Sequence, residues 1–133
     1  MKAYIYHAAL ICEDCAACTM GEEKKPDHVN MDDQASYDSD EWPKGPYGDG
    51  GGEADSPQHC DMCGDFLENP LTEDGSTYVK QAWREYVETG RGRLEVLQAW
   101  RDGYAWEWEE LCIEYEDAGQ DPERLKALAG ELA

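Results

Sequence analysis

Two Cys-x-x-Cys pairs limit the folds open to this chain. The first is Cys12-Glu13-Asp14-Cys15, and the second is Cys60-Asp61-Met62-Cys63, followed directly by Gly64. Such a turn holds two sulfurs close enough to grip one ion, and backbone N–H groups after the first cysteine point back at the thiolates. Glycine after the second cysteine lets the chain turn where a side chain would clash. Tetrahedral zinc takes two thiolates from each turn, and the chain between the turns is a loop of free length. Cys12, Cys15, Cys60 and Cys63 are therefore the expected ligands of a structural Zn2+ ion.

Other uses of the cysteines fit less well. A disulfide inside Cys-x-x-Cys is strained and redox-active, which suits a structural role poorly. A thioredoxin-like use needs the motif between a strand and a helix of a βαβ pattern, and that pattern is absent. Cys18 extends the first pair to Cys12-x-x-Cys15-x-x-Cys18, part of an iron–sulfur run, but the closely following Cys-Pro is missing. A small redox or iron–sulfur protein is the alternative reading that this run keeps open. Cys18 is also an alternative to Cys12 as a ligand; Cys12 is preferred because an apolar run leads into it. His59 is read as a neighbour supporting the site. Cys112 lies in an apolar helical setting and is read as a buried small hydrophobe.

The chain has 133 residues, which suggests a single domain, and a formal net charge of -20. Four thiolates and one zinc would make that charge more negative still. No stretch is long or apolar enough to span a membrane, and Met1-Lys2 followed by Tyr4, Tyr6 and His7 is not a secretory signal. The expected location is the cytoplasm, where thiols stay reduced and metal is favoured over disulfide. Eight tyrosines and five tryptophans against one phenylalanine suit half-buried and interface positions, because each carries a polar tip on an apolar body.

The expected fold class is α+β: a zinc-ribbon-like N-terminal β part followed by three to four α-helices. Within it, residues 1–18 and 59–72 form the zinc-binding part, 19–58 an acidic loop and 73–133 the helical part. Residues 3–11 read as one strand feeding the first turn, with His7 a half-exposed strand residue. From Thr19 to Gln58 there are eleven acidic residues, three lysines and four of the six prolines. That composition buries little apolar surface and predicts a long irregular loop, on which Met31, Tyr37, Trp42 and Tyr47 either pack back onto the core or anchor a partner. Packing is the favoured role.

Residues 60–71 read as the second turn and a short strand through Phe66 and Leu67, ended by Asn69-Pro70. Glu73-Asp74-Gly75 reads as a turn. Ser76 or Thr77 then caps a helix running to about Glu88, with Val79, Trp83, Tyr86 and Val87 on one face. Gly90-Arg91-Gly92 ends it. A second helix is expected from about Arg93, with Leu94, Leu97 and Trp100 inward and Gly103 as a break. Residues 104–108 alternate like a strand, yet Tyr104, Trp108, Leu111 and Tyr115 recur at helical spacing, and the neighbouring glutamates favour helix. Asp121-Pro122-Glu123 reads as a capped helix start, with Leu125, Leu128, Ala129 and Leu132 as the apolar stripe. Without the acidic loop about ninety residues remain to build a core, which makes a metal staple valuable.

The N-terminal half carries the strand, Cys12-Glu13-Asp14-Cys15, Gly45-Pro46-Tyr47 and the stretch Gly50-Gly51-Gly52-Glu53-Ala54-Asp55-Ser56-Pro57-Gln58-His59-Cys60-Asp61-Met62-Cys63-Gly64. In these features it resembles small uncharacterised zinc-ribbon-like proteins of tailed phages and some proteobacteria. The resemblance covers about half of the chain, with a looser echo in the helical part. It implies a zinc-ribbon-like site and a phage or mobile-DNA source, and it brings no assigned activity.

The chemistry that remains is narrow. Phosphate binding is driven by Lys and Arg displacing counterions, so this acidic surface repels DNA and RNA despite Arg91, Arg93 and Arg101. A zinc deaminase shows H-x-E with P-C-x-x-C. Pro57-Gln58-His59-Cys60 is not that motif, and neither His7 nor His28 is followed by the required glutamate. Four cysteine ligands leave a metal no vacancy for substrate. The expectation is a non-enzymatic protein that binds a basic protein partner through charge and aromatic contacts. In a phage setting this would be an inhibitor or modulator of a host nucleic-acid-handling or defence protein, one form of which is nucleic-acid mimicry. The plainer role of the charge is solubility.

Overall fold

A computed structural model describes residues 2–130 of the chain. It is α+β, with a three-stranded antiparallel sheet near the N-terminus and five α-helices. The chain divides into two compact units, Met1–Pro70 and Leu71–Ala133. No helix among the described residues is long and apolar enough to cross a membrane.

In the first unit the expected single strand over 3–11 is a hairpin. β1 (Ala3–Tyr6) pairs antiparallel with β2 (Ala9–Cys12), from Ala3 opposite Cys12 to Tyr6 opposite Ala9. His7 and Ala8 form the two-residue turn, both at positive φ (52° and 59°). That geometry matches the right-handed twist of paired strands, and Asn-Gly is the sequence that adopts it most readily. His7 is thus an exposed turn residue, its N–H donating to Ser39 O at 2.9 Å. The double substitution His7→Asn with Ala8→Gly relieves the left-handed strain and is expected to stabilise the first unit by about 1 kcal/mol, read as a higher melting temperature.

β2 runs straight into α1 (Glu13–Glu22), with Cys12 as the N-cap residue. β3 (Lys44–Tyr47) pairs with the other edge of β1, giving the order β2-β1-β3. Ala3, Ile11, Cys12, Ala16, Cys60 and Leu67 are buried together, with Tyr4, Leu10 and Met20 against them. Two of the predicted ligands are therefore part of this core.

The stretch 19–58, expected as a long irregular loop, is mostly irregular but carries regular pieces and a buried cluster. Its start belongs to α1, its end contributes β3, and Val29, Tyr37 and Trp42 form a buried cluster with Met20 and Met31. Packing is thus the structural role of Tyr37 and Trp42. Several acids act as local acceptors: Asp33 Oδ1 takes the Ala35 N–H, Asp38 Oδ1 the Asp40 N–H and Glu41 Oε1 the Asp38 N–H. These turns satisfy backbone donors that a loop would otherwise leave to water. No strand forms through Phe66 and Leu67; a single bridge, His59 to Phe66, replaces it. Asn69 is fully buried, its Oδ1 accepting from Gln58 N–H at 2.7 Å and its Nδ2 donating to Ser56 O and Pro70 O.

The second unit holds α2 (Glu73–Thr89), α3 (Leu94–Gly103), α4 (Ala105–Asp117) and α5 (Glu123–Ala129). The α2 cap is Thr72, whose Oγ1 accepts the Gly75 N–H at 3.1 Å. Glu73-Asp74-Gly75 is thus the first helical turn, and neither Ser76 nor Thr77 is the cap. Gly90, at φ 79°, stops α2. Val79, Trp83, Val87, Leu97, Trp100, Tyr104, Leu111, Tyr115 and Leu128 are buried. Trp83 donates its indole N–H to Leu97 O at 3.0 Å and meets Trp108 edge-on at 5.3 Å between ring centroids. Residues 105–108 are helical, as the tyrosine and leucine spacing predicts. Asp121 does not cap α5; Pro122 holds the N-cap position, and Asp121 pairs with Lys126 at 3.2 Å. Cys112 is half-buried, short of the full burial expected. Leu132, assigned to the α5 stripe from sequence, lies outside the described residues.

Candidate metal centre

The first pair is built by a strand-to-helix junction. Cys12 closes β2 and caps α1, its Sγ accepting the Cys15 N–H at 3.4 Å. Cys15 sits in the first turn, so both sulfurs lie at the helix N-terminus, where the peptide dipoles favour negative charge. The second pair is built by a tight loop closed by Cys60 N–H to Asp65 O (2.7 Å) and Gly64 N–H to Cys60 O (2.8 Å). Gly64 lies at φ 82°, a conformation glycine adopts freely. Asp61 N–H donates to Leu10 O at 2.8 Å, which docks this loop on β2.

These contacts bring all four sulfurs of Cys12, Cys15, Cys60 and Cys63 within 4.8 Å of one another. Cys12 Sγ and Cys63 Sγ are 3.7 Å apart, and none of the six cysteines, all among the described residues, forms a disulfide. A tetrahedron with metal–sulfur bonds of about 2.3 Å has sulfur–sulfur edges of about 3.8 Å. The group can therefore hold one metal ion, and with four protein donors that ion's tetrahedron is full. Cys12 and Cys60 are buried, Cys15 is half-buried and Cys63 is exposed.

The thiols of the group hold their protons unequally. Burial disfavours a Cys60 thiolate, but N–H groups of Cys12, Cys63 and Met62 aimed at its sulfur outweigh that and bring its pKa to about 6. Burial, then hydrogen bonding to the sulfurs of Cys12, Cys63 and Cys60, drives Cys15 far above the ordinary thiol range. One thiolate is thus stabilised while an adjacent thiol is held protonated. Four thiolates in contact repel one another unless a metal replaces the protons.

Other candidate residues stand outside this group. Cys18 is exposed on α1 and does not join the four sulfurs, so the run Cys12-x-x-Cys15-x-x-Cys18 is split. His59 Nδ1 donates to Gly64 O at 2.9 Å, and its ring lies 5.4 Å from that of Phe66. It thereby braces the second loop. His7 faces Asp40 at 3.6 Å, and His28 pairs with Glu41.

Sequence reasoning missed three supports of the site: the helix start at Cys12, the Asp61–Leu10 hydrogen bond and buried Asn69. Asn69 carried a signal, since Asn-Pro marks a turn, but nothing in the sequence marks its burial.

No protein-family model, curated protein or solved structure matches the chain.

Proposed function

We propose that the chain is a non-enzymatic acidic protein whose first unit is held by one structural zinc ion, and that it binds a basic protein partner. The observation that supports this most is the four-sulfur group itself. A tetrahedral all-sulfur site suits zinc or iron. Zinc fits a purely structural role, because it has no redox chemistry and four thiolates leave it no position for water or substrate.

Charge supports the partner. Residues 1–70 carry sixteen acidic against four basic residues, and residues 71–133 carry fifteen against seven. Both units therefore attract cations and repel phosphate. The resemblance to phage proteins makes a host nucleic-acid-handling or defence protein the natural target, the chain acting as its inhibitor or modulator. In the sharpest form, surface carboxylates occupy a phosphate-binding channel as a nucleic-acid mimic.

Two measurements test this reading. Protein prepared without added metal should be colourless with one zinc per chain; a brown preparation points to iron instead. Pull-down from host lysate at low and high salt should capture a basic nucleic-acid-handling protein at low salt only. Turnover of a small molecule by the purified chain would contradict the reading.

A further inference from the structure

We propose that the outward face of α4 is the docking surface for a basic amphipathic helix of the partner. This rests on the partner-binding reading and names its site. Tyr104, Leu111 and Tyr115 bury one side of α4. On the other side Trp106 is 73% exposed and Ile113 48% exposed. They stand seven residues apart, two turns along one face, and line a shallow hollow of about 180 Å³ with Glu109 and Glu110.

Helical spacing also sets Glu116 and Asp117 on this face, beside Ile113. Two large apolar side chains are thus rimmed by four carboxylates. The helix sequence Ala-Trp-Glu-Trp-Glu-Glu-Leu-Cys-Ile-Glu-Tyr-Glu-Asp holds six acids and no Lys or Arg. Glu110 meets Lys80 of α2 at 3.6 Å. Glu109 and Glu116 flank the opposite side of the stripe, and both are exposed.

A helix laid in this hollow buries Trp106 and Ile113 against its own apolar residues at i, i+3/i+4 and i+7. Its Lys or Arg side chains meet the rim, which sets orientation and association rate. A second copy of α4 fits poorly, because it brings six further acids against the same rim. Tryptophan is a residue type that carries much of the binding energy at interfaces, and Trp106 lies beside a second exposed apolar side chain, Ile113.

The test selects displayed random peptides of helix length on the immobilised full chain, then measures the affinity of enriched peptides for variants. Enriched peptides should combine Lys or Arg with apolar residues at helical spacing. Trp106→Ala should weaken them by about thirtyfold, and Glu109→Lys should weaken them at low salt. Tyr78→Ala, an exposed aromatic on α2, should leave them unchanged. Both helix-face positions are exposed, so circular dichroism should show the fold intact. Basic peptides that bind Trp106→Ala with undiminished affinity would overturn the α4 site and leave the partner reading standing. Enrichment of acidic peptides, or no enrichment, would count against both. A chain that self-associates through Trp106 would assign the face to a second copy and overturn the proposal.

Discussion

Cys60→Ser yields a chain that retains no metal and whose first unit does not fold, while the circular dichroism of α2 to α5 persists. The serine hydroxyl stays protonated and is no substitute for the thiolate that three backbone N–H groups favour at this position. Apparent binding free energies for structural zinc run on the order of 10–16 kcal/mol, against a total stability of about 5–15 kcal/mol for an ordinary domain. A core of Ala3, Ile11, Ala16 and Leu67 around the two buried sulfurs cannot replace that contribution. Cys18→Ser and Cys112→Ser remove thiols outside the group and should keep both metal and fold. Metal content by mass spectrometry and limited proteolysis of residues 1–70 check the three variants together. A Cys60→Ser chain with one bound ion and an unchanged melting point would contradict the assignment.

Gly50→Ala is the second large effect. Gly50 lies at φ 61°, and a Cβ built on it falls 2.0 Å from Leu67 O and 2.9 Å from Asn69 N. Both neighbours are backbone, so no side chain can swing away. Leu67 N–H also donates to Gln58 O, and Gln58 N–H donates to Asn69 Oδ1. The displacement is therefore passed to the segment entering Cys60. A cost of roughly 3–5 kcal/mol is expected, in the range reserved for severe steric or packing damage, with metal released at a lower chelator concentration. Gly48→Ala is the control: φ is -66° and nothing lies within 4 Å of the added methyl. Equal melting temperatures for the two variants would show that the close approach does not exist.

The four-cysteine group was legible from the two Cys-x-x-Cys spacings, with the apolar run before Cys12 deciding between it and Cys18, because Cys-x-x-Cys is a local geometry that survives in any fold. The inward faces of α2, α3 and α4 were legible from apolar recurrence at Val79, Trp83 and Val87, at Leu97 and Trp100, and at Leu111 and Tyr115. What hid the rest was backbone chemistry with no compositional mark. The His7–Ala8 turn contains neither Gly nor Asn, so Tyr-Ile-Tyr and Ala-Leu-Ile read as one strand. Cysteine is not a usual N-cap residue, so the start of α1 at Cys12 went unseen. Gly75 read as a turn because glycine weakens helices, yet in the first turn of α2 it costs little. The acidic stretch read as an irregular loop with its aromatics packed inward, and Tyr37 and Trp42 are buried; the turns its carboxylates form left no mark in composition. The glycine run at 48–52 read as plain loop, although one of its members lies under the Leu67 carbonyl.

Native mass spectrometry of the chain, prepared without added metal and followed through a chelator titration, tests the four-sulfur site most directly. One zinc per chain is expected, bound with the loss of cysteine protons, and its removal should coincide with unfolding of residues 1–70. A metal-free chain that keeps its native charge-state distribution and melting temperature would contradict it.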